Sequence, residues 1–178
     1  SNFGKSFYDN FGDKVSDPSS ALEHVRTDIV DYLQQTTDDI YISNLEIERI
    51  WSPKKNVYLK TTFGILESMY GGIATEAVYK PYNQNFMVGV EFNSVKKRDF
   101  NQKFSFSEYE TETYHANIAY YHPTSNIRTK WSYGTYLAGD RGYTLDLSRR
   151  MPSGWTAGFF FSRTNVSEEE FGEGSFDK

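Results

Sequence analysis

Residues 142–164 read GYTLDLSRR-MPSG-WTAGFFFSRT, two alternating segments joined by a short turn. In the first segment Tyr143, Leu145 and Leu147 fall on one side of an extended chain, with Thr, Asp and Ser between them. After the turn, the apolar residues Trp155, Ala157, Phe159 and Phe161 again occupy every second position. A period of two with aromatic residues near the segment ends is typical of strands that face lipid on one side and water on the other. The stretch therefore predicts a β-hairpin with one apolar and one polar face.

The same period of two recurs through most of the chain. We expect a mainly β fold with eight strands, at 39–51, 56–66, 72–80, 85–97, 103–121, 126–137, 142–150 and 155–164. Short turns rich in Pro, Asn, Ser and Gly join them in pairs, at 52–55, 81–84, 123–125 and 151–154. The connections between these hairpins, 67–71, 98–102 and 138–141, carry charges and Gly. This layout predicts an antiparallel up-and-down meander that forms a β-barrel or a sector of a larger outer-membrane barrel.

Alternation also assigns side chains to faces. The predicted outward faces carry Val57, Leu59, Phe63, Ile65, Phe86, Val88, Val90, Phe92, Tyr114, Ala116, Ile118, Tyr120, Ile127, Thr129, Trp131 and Tyr133. The opposite faces carry charged residues, among them Lys60, Glu91 and Arg128. Because a buried unpaired charge is costly, such a face suits a water-filled lumen, a wet ligand cavity, or a sheet with one face in solvent.

The amino-terminal part differs from the rest. Asp17 can cap a helix and Pro18 suits its first position, and apolar residues then follow at helical spacing to Leu33. We expect an amphipathic helix over 18–35. The predicted organisation is 1–16 tail or loop, 17–36 helix, 39–165 antiparallel β-barrel region, and 166–178 acidic Gly-containing loop.

Composition narrows the class of protein. Of 178 residues, 17% are aromatic, yet the mean hydropathy is -0.66, which fits amphipathic strands better than an apolar core throughout. No apolar run approaches the roughly 20 residues of a membrane helix. The net charge of -5 argues against a nucleic-acid partner. With no cysteine, neither a disulfide framework nor a thiolate metal site is possible.

The motifs of common catalytic sites are missing from the sequence. His24, His115 and His122 do not have metal-ligand spacing, and no Gly-x-Ser-x-Gly nucleophile turn occurs. Carboxylates are plentiful, but a glycosidase needs two at a defined separation, which sequence alone does not give. We therefore expect a non-enzymatic protein with no cofactor and no metal.

Several segments, in order, resemble the YjbH/GfcD family of bacterial envelope proteins encoded with exopolysaccharide and capsule genes. They are VRTDI at 25–29, MYGG at 69–72, VKKRDF at 95–100, YET at 109–111, YLAGDRG at 136–142, LSRR at 147–150 and FGEGSFDK at 171–178. The resemblance implies an outer-membrane β-barrel, in some members a lipoprotein, that assists export or assembly of an extracellular polysaccharide. It also implies that this chain is a fragment and that its partners are the polysaccharide chain, outer-membrane lipid and other proteins of the same operons. The resemblance provides no catalytic residues to carry over, and we assign none.

Within this interpretation, polar residues facing a lumen or pore mouth are candidates to contact the sugar chain. The hypothetical ligand-binding residues are Tyr58, Lys60, Glu91, Tyr121, Arg128, Lys130 and Arg149. A second set lies in charged loop motifs, namely Lys97, Arg98, Asp99, Asp140 and Arg141. Such residues line the mouth of a pore and select solutes, or they form loop salt bridges and meet lipid headgroups.

Two alternatives stay open. A soluble periplasmic β-domain that binds a carbohydrate or lipid predicts that the helix or a second sheet covers the aromatic face. A polysaccharide-modifying enzyme predicts carboxylates clustered in a cleft. The corresponding locations are the outer membrane for the barrel and the periplasm for the soluble domain.

Overall fold

The computed structural model describes residues 2–4, 28–35 and 40–167. They form one short helix and one antiparallel sheet in which each strand pairs with the next along the chain. The elements are β1 (Asn2–Gly4), α1 (Ile29–Gln35), β2 (Tyr41–Lys54), β3 (Val57–Ile65), β4 (Tyr70–Tyr79), β5 (Phe86–Arg98), β6 (Phe106–His122), β7 (Ile127–Thr135), β8 (Arg141–Arg150) and β9 (Thr156–Thr164).

The eight predicted strands are confirmed as β2 to β9, with ends that differ by up to three residues. β6 is one uninterrupted strand of 17 residues. β1 lies in the stretch where the sequence indicates a tail or loop, and it pairs with the start of β2. The predicted start of the helix at Asp17 and the acidic loop after Ser167 fall outside the described residues.

The backbone conformation of the four hairpin turns shows how the chain reverses direction between paired strands. Each turn has one residue in the left-handed region, at Asn56, Asn83, Asn126 and Gly154, with φ of 66°, 60°, 54° and 91°. Asn and Gly adopt this conformation most readily, so each hairpin can reverse within a few residues. We call this edge of the sheet the hairpin end, and the opposite edge, with connections 66–69, 99–105 and 136–140, the loop end.

The strand register separates the side chains into two faces. Val88, Ile118, Trp131, Leu145 and Phe161 are consecutive register partners from β5 to β9. We call their side of the sheet the aromatic face. Its other large members include Ile47, Leu59, Phe63, Ile73, Val90, Phe92, Tyr114, Tyr133, Leu147 and Phe159. The other side, the polar face, carries the charged strand residues predicted to lie opposite, so the face assignments are confirmed.

The apolar face of the sheet is more exposed than the polar face in its middle strands, which is unusual. Along β6, residues on the aromatic face are exposed, such as Ile118 at 52% of its surface. Their neighbours on the polar face from Ser107 to Ala119 are partly or fully buried, with Thr113 at 3% and Ala119 at 5%. A water-soluble sheet does the opposite, since it buries its apolar face and exposes its polar one.

The sheet is open in the residues that the structure describes, with β1 and β9 as its end strands. The predicted meander is thus present, and the described strands form a continuous array rather than a closed ring.

Two glycines on the polar face allow neighbouring strands to approach each other closely. Gly64 and Gly72 are register partners with φ of 133° and 154°, and a Cβ there would lie 2.3 and 2.2 Å from backbone oxygens of the neighbouring strands. Only glycine fits such a close approach.

The apolar core lies at the loop end, on the polar face. Tyr32 of α1 packs with Met69, Tyr70 and Val95, and four partly buried residues surround them, Leu66, Tyr109, Leu137 and Ala138. The Tyr32 ring also meets Phe100 edge-on at 4.9 Å between centroids. Tyr70 and Val95 belong to the polar face by register, so the described part of the helix covers that face and not the aromatic one.

Candidate functional site

The polar face between its two ends is the candidate site. Lys60, Glu76, Glu91 and His115 are consecutive register partners from β3 to β6. Lys60 Nζ lies 3.5 Å from Glu48 Oε2 on β2. These residues form a row of ionisable groups across β3 to β6, in which the carboxylates of Glu76 and Glu91 are neighbours.

Hydrogen bonds fix the centre of this row. The Asn93 side-chain amide donates to Glu91 Oε1 and to Thr113 Oγ1, both at 2.9 Å. The His115 ring meets the Tyr136 ring edge-on at 4.8 Å between centroids, and it lies against Gly134, where a Cβ would come within 2.7 Å of it. The absence of a side chain at Gly134 therefore makes room for the imidazole.

A second group lies on β7 and β8. Arg128 Nη2 lies 3.3 Å from Asp146 Oδ1, and the Ser148 hydroxyl donates to the same oxygen at 3.3 Å. Lys130 is the register partner of Asp146. A single carboxylate is thus held among two cations and a hydroxyl.

The polar face has a cleft at the hairpin end, with a volume of about 410 Å³. It is lined by Tyr121, Arg128, Ser148, Arg150, Gly154 and Thr156. Tyr121 is the register partner of Arg128, which in turn faces Ser148. An aromatic ring, two guanidinium groups and two hydroxyls therefore converge on one concave surface.

The structure brings together some of the predicted ligand-binding residues and separates others. Tyr121 and Arg128 share the cleft, with Lys130 on the next inward position of β7. Tyr58 and Lys60 lie on β3, and Glu91 lies on β5, on the same face but outside this cleft. Arg149 lies on the aromatic face, where its register partners are Ile127 and Ala157.

The predicted loop-motif residues lie mostly inside the loop end. Lys97 is 5% exposed, and its Nζ lies 2.6 Å from Asp28 Oδ2, which joins β5 to the residue before α1. Asp140 is buried, Asp99 is partly buried in the turn after β5, and Arg141 is exposed at the start of β8 on the aromatic face. The pair formed by Lys97 and Asp28 is a structural ion pair between the helix and the sheet.

Arg98 is the most connected of these residues. It is 1% exposed, and its guanidinium donates to the carbonyls of Ile42, Glu67, Ser68 and Lys103 at 2.8–3.2 Å. The Tyr32 hydroxyl donates to the Arg98 carbonyl, and the Gln102 amide donates to the Tyr32 carbonyl at 3.0 Å. Arg98 therefore holds β2, two loops and the helix in one arrangement.

Among the ligand-binding residues, sequence reasoning named Arg149 in place of its neighbour Arg150, and it missed the Tyr32–Arg98 contact. Alternation could have found Arg150, because Asp146 and Ser148 already mark the even-numbered residues of β8 as polar-face residues. The Tyr32–Arg98 contact joins residues 66 apart in the chain, and no local pattern indicates it.

Across 28–35 and 40–167, no three His, Asp or Glu side chains are close enough together to hold a metal ion. Helix α1 has only seven residues, and the described part of the chain holds no helix long and apolar enough to cross a membrane.

Comparison with known proteins supplies the family. A family model described as "Exopolysaccharide biosynthesis protein YbjH" matches residues 1–178. The chain belongs to the YjbH family. Within this family, the "Uncharacterized lipoprotein YjbH" of Escherichia coli (strain K12) is 36% identical over 176 residues, which cover 96% of this chain. The chain spans 25% of the length of that relative. No solved structure matches.

Proposed function

We propose that this chain is part of an outer-membrane β-barrel that assists the export or assembly of an exopolysaccharide without catalysing a reaction. One observation carries the proposal: along β5 to β7 the aromatic face is more exposed than the polar face. That order of burial suits a wall with hydrocarbon outside and water inside. The family description, an exopolysaccharide biosynthesis protein, suggests that the exported polymer is an exopolysaccharide.

The aromatic face has the chemistry that a lipid contact requires. Val90, Ile118 and Phe159 of this face are 57%, 52% and 64% exposed. Tyr79, Phe86 and Tyr120 lie on the same face, toward the hairpin end of β4, β5 and β6. Aromatic residues are favoured where a barrel wall crosses from hydrocarbon to headgroups. The face also has a mainly apolar hollow of about 570 Å³ beside Ala116, which hydrocarbon chains would fill.

Strand length and strand pairing support the same proposal. β2 to β9 have 9 to 17 residues, against the 9–11 or so that cross a bilayer when tilted. The end strands offer unpaired edges, which proteins avoid by adding strands or closing the sheet. Because the chain spans 25% of its curated relative, further strands of the longer protein would continue the wall.

The position of α1 counts against the soluble periplasmic alternative. That alternative needs the helix or a second sheet on the aromatic face. In the described residues Tyr32 instead packs on Tyr70 and Val95 of the polar face. We infer that the helix partly fills the interior at the loop end, and that other proteins of the same operons deliver or receive the polymer.

Two neighbouring residues test the lipid-facing assignment. Val90 points to the aromatic face and Glu91 to the polar face, in the middle of the same strand. In the full-length protein we expect Val90→Arg to reduce the amount of folded protein in the outer membrane, because an arginine facing the bilayer midplane costs about 2–4 kcal/mol. Glu91→Arg, the matched control, should be tolerated. Equal tolerance of both variants in membrane fractions would refute the proposal, since an exposed face in water accepts arginine.

The export role has its own test. Tyr58 and Tyr121 are about half exposed on the polar face, at 47% and 44%, where a sugar ring can stack on them. Replacing both with Ala should lower the amount of secreted polysaccharide, while Tyr82→Ala, in the turn after β4, should leave it unchanged. Unaltered secretion by the double variant, at normal protein level, would count against polymer contact on this face.

A further inference from the structure

We propose that the cleft at the hairpin end of the polar face is a subsite for a carboxylate-bearing sugar, with Arg150 and Arg128 binding the carboxylate and Tyr121 the ring. This inference rests on the proposed function, because it takes the polymer to pass along the polar face. It adds the chemical class of the polymer, namely one that contains uronic acid units or similar acidic sugars.

The charges of the polar face are segregated. Its β7 and β8 strands carry three cations, Arg128, Lys130 and Arg150, with the carboxylate of Asp146. Its β2 to β5 strands carry four carboxylates between the two ends, Glu46, Glu48, Glu76 and Glu91, with Lys60 as the cation. An anionic ligand is therefore attracted to one side of the face and repelled by the other.

The two guanidinium groups retain free hydrogen-bonding capacity. Arg128 contacts Asp146 through Nη2, and its buried Nε has no hydrogen-bond partner among the described residues. The Arg150 guanidinium forms no ion pair or side-chain hydrogen bond with the described part of the chain, although its backbone N–H donates to the Asn126 carbonyl at 3.2 Å. Arg150 is therefore the donor that is most available to a ligand.

The cleft combines the two contacts that an acidic sugar needs. Arginine presents a planar pair of N–H groups that matches the two oxygens of a carboxylate. Tyr121 lines the same cleft, and the C–H face of a pyranose can pack on an aromatic ring. Ser148 and Thr156 add hydroxyls for the sugar hydroxyl groups. The volume of about 410 Å³ accommodates one or two sugar units.

Calorimetric titration of the full-length protein in detergent micelles tests the assignment. The probes are tetragalacturonic acid and its fully methyl-esterified form, which keeps the rings and removes the charges. We expect the acid to bind and the ester to bind much more weakly. Arg150→Gln should weaken binding of the acid about tenfold, the loss of one charge-assisted interaction. Arg150→Lys, which keeps the charge without the planar pair of donors, should restore part of the affinity.

The chain offers a matched control at the adjacent residue. Arg149 has the same side chain on the aromatic face, so Arg149→Gln should bind the acid like the unaltered protein. Heat-modifiable gel mobility of each variant shows that it is folded.

Three outcomes overturn the subsite: equal affinity for acid and ester, no binding of the acid, or a loss with Arg149→Gln in place of Arg150→Gln. Each leaves the contrast between Val90→Arg and Glu91→Arg as a separate test, so failure of the subsite is distinguishable from failure of the membrane proposal.

Discussion

At the scale of single residues, Arg98 shows how a charged side chain can be structural. Its guanidinium has four backbone carbonyls as acceptors and is nearly inaccessible to water. Each acceptor would lose its partner if the guanidinium were absent, and an unsatisfied buried carbonyl costs about 1–3 kcal/mol. Arg98, within the sequence motif VKKRDF, therefore stabilises the arrangement of the loop end.

We expect Arg98→Lys to destabilise the folded protein by about 2–4 kcal/mol, because one ammonium cannot reach acceptors in four directions. Denaturant titration of the full-length protein in micelles measures this loss. Arg163→Lys, on an exposed position of β9, is the control and should change little. Equal stability of the two variants would show that the Arg98 contacts contribute little.

At the scale of secondary structure, the strands were predictable and the docking of the helix was not. Alternation located β2 to β9 because the polar and apolar faces differ at almost every position, and Asn or Gly marked the turns. Helix α1 is held by contacts distant in sequence, such as Tyr32 with Arg98 and Asp28 with Lys97. In the candidate site, alternation indicated Tyr121 and Arg128, but it could not show which strands bring their side chains into one cleft.

The docking of α1 should depend on alkaline pH. Burial, and then the negative charge of Asp28, raise the pKa of Tyr32 well above the ordinary tyrosine value. The undocked helix would ionise this tyrosine first, at a pKa of about 10, so docking is at full strength below that pH and weakens as the pH rises above it. We expect Tyr32 to ionise after the exposed tyrosines in a titration followed by tyrosinate absorbance.

Tyr32→Phe provides the comparison for this titration. Near pH 10, about the ordinary tyrosine pKa, the variant should show the same tyrosinate absorbance as the unaltered protein, because Tyr32 contributes none there. The difference should appear only at higher pH. A loss of absorbance already near that pH would mean that Tyr32 titrates normally and is not buried against the sheet.

At the scale of the whole molecule, the order of burial connects the sequence to the proposed role. The chain has 17% aromatic residues and a low mean hydropathy. Its strands place most of their large apolar side chains on one exposed face and a row of charged side chains on the other. In water this arrangement loses the stabilisation that apolar burial normally supplies. In a bilayer the same face is covered by lipid, and the polar face can line a hydrated interior.

The central claim is that this sheet requires a membrane-like environment. The most direct measurement is far-UV circular dichroism of the full-length protein, combined with gel mobility before and after heating, in plain buffer and in detergent micelles. We predict β structure that depends on detergent, together with a band that shifts on heating. A well-folded, monodisperse monomer in plain buffer would contradict the account and favour the soluble binding domain.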